Sequence, residues 1–282
     1  MHFNKPGAQI YIPDEVSSGD ALTRTTHLAV GAHQDDIPIM AHDGILQCFG
    51  RNNMWFLGIT VTDGAESPRS GVYGDYSDAQ MREVRIVEEK KAAFIGEYSA
   101  AVLLDYSSSS AEDGSSDEIA TELATLIEAA RPTVVYTHNL ADKHDTHVAV
   151  ALRTLDAIRR LPKAARPAAL YGCEVWRDLD WMVDSDKVAF DVTDHGNLEA
   201  ALMGVYDSQI RGGKRYDLAT AGRRLAHATF SETHAVDTAE AFIYAMDLTP
   251  LITAASLETV AYVTAHVERM EREISNRIGS LS

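Results

Sequence analysis

The chain of 282 residues carries 42 acidic against 25 basic side chains, a formal net charge of −17, with 45% hydrophobic and 24% charged residues. Such a mixture is that of a globular protein; the charge opposes binding to nucleic acid or anionic lipid, and no apolar run approaches the roughly 20 residues that span a bilayer. The two cysteines, Cys48 and Cys173, build neither a disulfide framework nor a thiolate metal cluster and read as small buried side chains.

In chain order, Met1-His2-Phe3-Asn4-Lys5-Pro6 lacks the apolar core of a secretory signal, and a cytoplasmic location is expected. His27–Ala32 reads as a short apolar strand. Ile37, Met40, Ala41, Gly44, Ile45 and Cys48 then recur at helical spacing. A strand over 55–61, a helix over 79–96, a strand over 101–104, a helix over about 117–130 and a strand over 133–136 follow. The next helix carries Val148, Ala151, Leu152, Leu155 and Ile158 on one face. Further strands are expected near 169–171 and 188–190, helices from about 196 to 228, and a last helix near 256–278. The last helix carries Val260, Val263, Val267, Met270 and Ile274, a spacing that suits packing on another helix, in this chain or in a second copy. The serine-rich segment 107–116 reads as a surface loop.

Strands alternating with helices predict an α/β fold, a Rossmann-like and mostly parallel sheet flanked by helices, with a helical C-terminal extension. We expect one domain over 1–282, its core at about 27–210 and the extension at about 211–282. Ligands of such sheets collect beyond the carboxyl ends of the strands. The long segment 63–76, rich in Gly, Ser, Pro and Tyr, lies at one of those ends and has the length of a binding loop or lid.

Two clusters fall at strand ends. Ala32-His33-Gln34-Asp35-Asp36 follows the first strand, and Thr137-His138-Asn139-Leu140-Ala141-Asp142-Lys143-His144-Asp145-Thr146-His147 follows the fourth. Two histidines and a carboxylate with one open position form a catalytic zinc set. Each element has an ordinary reading by itself: Asp36 before Ile37-Pro38 as a helix N-cap, His138 as a core or loop histidine outside the site, Asp142 and Asp145 as solvated charges near a helix start. Independent capping does not account for three histidines and several aspartates converging on strand ends where ligands bind.

The first cluster resembles the Ala-His-Pro-Asp-Asp signature of the PIG-L/LmbE family of zinc-dependent N-deacetylases, and the second its Thr-His…Asp-x-His-x-x-His segment. Thr62-Asp63-Gly64-Ala65-Glu66, the Arg85-x-x-Glu88 helix ending Ala92-Ala93-Phe94-Ile95-Gly96, and Tyr206-Asp207-Ser208-Gln209 extend the likeness over roughly 27–210. The resemblance implies Zn²⁺ held by His33, Asp36 and His147, with Asp35 as general base and His144 stabilising the oxyanion. It also implies that Arg85 contacts substrate, although an Arg85–Glu88 ion pair along the helix accounts equally for that pair. The implied substrate is an N-acylated amino sugar, an N-acetylglucosamine or its conjugate, with no stable membrane insertion; a homo-oligomer is compatible with the last helix. Tyr73, Tyr76 and Trp176 are candidate walls of a sugar site, and the basic segment 211–215 a candidate partner for an anionic group; Arg223-Arg224 reads as a solvated face.

Two departures bear on the groups around the ligands. Gln34 stands where the family has proline, with Ile37 in place of the usual acidic residue after Asp-Asp, and His144-Asp145-Thr146-His147 replaces His-Pro-Asp-His, moving or removing the carboxylate that would support His144. Rival readings are a non-catalytic sugar- or metal-binding protein on the same fold, and a two-His-one-carboxylate iron(II) oxygenase. The oxygenase resembles proteins built on β jelly rolls. A deacetylase attached to a membrane is a third, opposed by the charge.

Overall fold

The computed structural model describes residues 2–254 and 256–282. A short strand β1 (Gln9–Tyr11) and a helix α1 (Ser18–Thr23) precede β2 (His27–Gly31), every residue of which is buried. The expected helix over 37–48 is two, α2 (Asp36–Met40) and α3 (His42–Cys48), because the backbone redirects at Ala41. The turn lets α3 lie close to the sheet, where a Cβ on Gly44 would stand 2.6 Å from the Tyr136 ring. β3 (Phe56–Thr62) is again buried throughout. α4 (Asp78–Ile95) starts at a capping box, in which the Ser77 hydroxyl accepts from the Gln80 N–H and the Gln80 side chain accepts from the Ser77 N–H.

β4 (Ala100–Tyr106) is followed not by the expected loop but by a short helix, α5 (Ser108–Glu112), which Ser107 Oγ caps at the Ser110 N–H while Ala111 is buried. Then come α6 (Glu118–Ala130), β5 (Val134–His138), α7 (Asp145–Arg160), β6 (Ala169–Cys173) and β7 (Lys187–Asp191). The helical third quarter is α8 (Gly196–Gly204), α9 (Asp207–Ile210) and α10 (Tyr216–Thr229). The last stretch holds an unexpected strand, β8 (Phe242–Asp247), before α11 (Thr249–Thr253) and α12 (Thr259–Leu281).

The sheet order is β1-β4-β3-β2-β5-β6-β8-β7. The centre, β4-β3-β2-β5-β6, is parallel, while β1 and the β8–β7 pair join it antiparallel at the two sides. Successive residues of a strand point to opposite faces, so Leu28 and Val30 enter one apolar core and Ala29 the other, and helices cover both. A jelly roll is excluded, and with it the footing of the iron oxygenase reading. On α12, Tyr262 and Val263 pack on the core, whereas Val260, Val267 and Ile274 are exposed. No helix among the described residues is long and apolar enough to cross a membrane.

Strand order reverses at β2, with β3 on one side and β5 on the other. Helices leaving such a pair diverge to opposite faces and open a crevice at the carboxyl ends. The two motif clusters meet there.

Candidate metal and catalytic site

The loop from β2 into α2 carries His33 to Asp36. Asp36 is not the helix cap: it is the first residue of α2, and its Oδ2 reaches back to accept the His33 backbone N–H at 2.7 Å. The same oxygen lies 3.2 Å from His33 Nδ1 and 3.3 Å from His147 Nε2, and those two nitrogens are 3.2 Å apart. Donor atoms at the corners of a tetrahedron around an ion bound at roughly 2.1 Å stand about 3.4 Å apart. The three separations and the nitrogen–oxygen donor set therefore fit a divalent ion such as zinc. Burial pushes the Asp36 carboxyl up, but His147 and His138 outweigh it and hold Asp36 well below the usual carboxylate range.

His147 sits in the first turn of α7, fully buried, with Nδ1 3.2 Å from Asp142 Oδ2. Burial lowers its pKa, yet the Asp36 and Asp142 carboxylates reverse the shift and raise it. Asp142, expected in solvent, is buried, and its oxygens also accept the backbone N–H groups of Lys143, Trp176 and Arg177. It thus fixes one imidazole and anchors the turn following β6.

His138, set aside on sequence grounds, ends β5 and stacks on His147 with ring centroids 3.9 Å apart. Its Nε2 is 3.4 Å from Asp36 Oδ2, so Asp36, His138 and His147 form a second possible donor group. That Nε2 accepts the Ala32 N–H at 2.9 Å, which occupies the lone pair a metal would need. Burial first, and the neighbouring His147 next, bring the His138 pKa down to about 4, so the ring is neutral and carries its proton on Nδ1.

His144 is the residue before α7, with its ring stacked on His147 at 4.5 Å. Nδ1 is buried with no hydrogen-bond partner, the structural trace of the missing carboxylate. Burial, together with His147 and His33, lowers its pKa. His33, His144 and His147 form a further group with metal-ligating atoms close together.

Asp35 points to the other wall. Its Oδ1 accepts from Arg85 Nη2 at 2.7 Å, with both side chains buried. Arg85 is therefore not paired along its helix; Glu88 instead accepts the Ser208 N–H and hydroxyl, each at 2.7 Å. Gln34 explains its own presence: its Oε1 accepts from Arg85 Nε at 3.0 Å, and its Nε2 donates to the Thr62 carbonyl at 3.0 Å. Gly64, in the left-handed region at φ +69°, makes room for this bridge, since a Cβ there would lie 2.4 Å from Gln34 Oε1.

His33, Asp35, Asp36, Arg85 and His144 line a cleft of about 520 Å³ whose further walls include Glu66, Gln209, Lys214, Trp176 and Tyr216. Of the aromatic candidates, only Trp176 reaches the cleft. Tyr73 donates to Asp207 at 2.7 Å, pinning the 63–76 segment against α9, and Tyr76 packs on Tyr73. Of the basic segment, Lys214 reaches the cleft, whereas Arg215 pairs with Asp217 outside it. Arg224, expected on a solvated face, is only 2% exposed and donates to the carbonyls of Pro38 and Ile39.

Residues 28–158 match the model of the PIG-L family, described as GlcNAc-PI de-N-acetylase. No curated protein matches the chain by sequence. Among solved structures, 4-carboxy-2-hydroxymuconate hydratase from Pseudomonas putida is similar at TM-score 0.62 and 16% identity, over 79% of this chain and 95% of that one. The N,N'-diacetylchitobiose deacetylase of Pyrococcus horikoshii is similar at TM-score 0.60 and 15% identity, over 78% and 83%. The A40926 pseudoaglycone deacetylase Dbv21 is similar at 0.57 and 16%, over 79% and 97%. At such identities the likeness is one of fold, and that fold serves both deacetylases and a hydratase. Residues 28–158, which span β2 to α7 and hold both histidine–aspartate clusters, are thus the part of the chain that is similar to the PIG-L family.

Proposed function

We propose that the protein is a zinc-dependent N-deacetylase that hydrolyses the amide of an N-acylated amino sugar of the N-acetylglucosamine type. The observation that carries this reading is the approach of His33 Nδ1, Asp36 Oδ2 and His147 Nε2 to within 3.2–3.3 Å of one another at a cleft that Asp35 also lines. The family match and the deacetylases sharing the fold support it.

His33, Asp36 and His147 would hold the metal, and Asp142 would orient His147. Zinc bound there supplies a water with a pKa lowered toward about 7 and polarises the amide carbonyl. Asp35 takes the water's proton. Arg85 occupies its Oδ1 and leaves Oδ2 free for that proton, which Asp35 then delivers to the departing amine. His144 borders the same cleft and offers an imidazole N–H to the carbonyl oxygen as negative charge develops on it. Because its pKa is lowered and no carboxylate supports it, the neutral ring is the donor. Arg85 positions Asp35 and walls the substrate cleft.

The test is acetate release from a panel of N-acetylglucosaminides by the zinc-loaded protein, with and without a chelator. Release that the chelator abolishes supports the reading. No release from any member, despite one zinc bound per chain, would favour a binding protein on the same fold.

A further inference from the structure

The cleft does not stop at the histidines. Past Trp176 and Tyr216 a second chamber of about 170 Å³ opens, sharing Ile39, Val175, Trp176 and Tyr216 with the cleft as common walls. Ile39 is one helical turn beyond Asp36 on α2, so the chamber begins next to the proposed metal ligands.

The two spaces differ in character. Glu66, Ser67, Gln209 and Lys214 face the cleft. Most of the chamber's polar liners have partners in the protein, although Arg224 Nε is buried without one. Glu174 pairs with His227 and accepts the N–H groups of Leu179 and Tyr244. Arg223 donates to the Val175 carbonyl, and Arg224 to those of Pro38 and Ile39. The rest of the wall is chiefly hydrocarbon from Ile39, Val175, Ala219, Ile243 and the two aromatic rings, with Thr220 among them.

An N-acyl amino sugar divides in the same way at its amide. The nitrogen bears a hydroxyl-rich ring and the carbonyl bears hydrocarbon. With the amide at the Asp35–His144 junction, the ring matches the polar cleft and the acyl chain the apolar chamber. A dry protein cavity of about 150 Å³ accepts benzene, so this one has space for about six carbons, whereas the single methyl of an acetyl group leaves most of it empty.

We propose that the chamber binds the acyl group and that the preferred substrates carry acyl chains of about four to eight carbons. This inference rests on the deacylase reading above. The reaction balances as hydrolysis: the water oxygen bonds to the acyl carbon, the carbon–nitrogen bond breaks, and a fatty carboxylate and a free amine result. The selectivity follows from burial, since each methylene withdrawn from water strengthens binding roughly fourfold.

The experiment measures kcat/KM of the full zinc-loaded chain for N-acetyl-, N-butanoyl-, N-hexanoyl-, N-octanoyl- and N-decanoylglucosamine, and calorimetric binding of hexanoate against acetate. The expected result is a rise of at least tenfold from acetyl to hexanoyl, a fall at decanoyl, and tighter binding of hexanoate. Thr220, a buried wall of the chamber on α10, supplies the variants. Thr220→Phe, which fills the space, lowers the hexanoyl-to-acetyl ratio at least tenfold, and the milder Thr220→Ala moves the optimum to longer chains. A preference for acetyl with hexanoate binding no tighter than acetate overturns the chamber assignment and leaves the deacetylase reading standing. Ratios unchanged in both variants overturn the assignment as well. Failure to hydrolyse any member with metal bound overturns the deacylase reading itself.

Discussion

Asp142 Oδ2 stands 3.2 Å from His147 Nδ1, on the side of the imidazole opposite the nitrogen that faces His33 and Asp36. A carboxylate so placed keeps the proton on Nδ1, fixes the ring's direction and makes Nε2 a better donor to a metal. The relationship joins a loop carboxylate, a helix and the proposed zinc site.

If the proposed site holds a metal, removing that carboxylate is expected to weaken its binding without deleting a ligand. Asp142→Ala is expected to lower zinc affinity about 10- to 100-fold, measured by competition with a chromogenic chelator. Because Asp142 also holds the N–H groups of Trp176 and Arg177, thermal unfolding of the zinc-free variant separates lost stability from lost affinity.

On the proposed reading, Asp35 and His147 separate base from ligand. Asp35→Asn keeps an acceptor for Arg85 and is expected to retain zinc while losing about 10²- to 10⁴-fold in kcat. His147→Ala is expected to lose the metal along with turnover. Turnover near wild type in Asp35→Asn removes the base assignment.

Gly64 makes a prediction about stability. Its φ of +69° and the 2.4 Å from a would-be Cβ to Gln34 Oε1 leave no room for a side chain. Gly64→Ala is expected to cost about 1–3 kcal/mol, read as a fall of several degrees in Tm. The Gln34→Ala background relieves the contact and recovers part of the loss, although the backbone strain remains.

The buried carboxyl of Glu89 makes stability depend on pH. Burial raises its pKa to about 8, against lowering by the Tyr206 hydroxyl and Arg85. Between the unfolded value near 4.5 and the folded value near 8, the folded state binds the extra proton. Stability therefore falls as pH rises through that window, with a slope of at most about 1.4 kcal/mol per unit. Urea unfolding of wild type and Glu89→Gln across pH 5–9 checks this. The difference between the two curves should change steadily up to about pH 8 and flatten beyond; a difference independent of pH counts against a protonated Glu89.

Local spacing makes much of this legible in the sequence. The alternation from His27 to Ile158 dictates the parallel centre of the sheet, and strand ends direct attention to His33–Asp36 and His138–His147. Partnerships set by long-range packing were not readable in that way. His138 looks ordinary until β5 lies beside β2 and its Nε2 meets the Ala32 N–H. Asp142 reads as a solvated charge until the turn after β6 folds over it. Arg85 has a helical neighbour of opposite charge, yet the buried Asp35 takes it and Ser208 takes Glu88. β8 is not legible in the sequence because Phe242–Asp247 lies outside the strand–helix alternation and enters the sheet antiparallel, between β6 and β7.

The central claim is that one metal ion is held between the loop after β2 and the start of α7. Zinc content per chain of the purified protein, measured by elemental mass spectrometry on wild type and on His33→Ala/His147→Ala after dialysis against limiting zinc, addresses it directly. The account predicts one zinc per wild-type chain and none in the double variant, with the fold retained by circular dichroism. A full equivalent of zinc remaining in the folded double variant would contradict it.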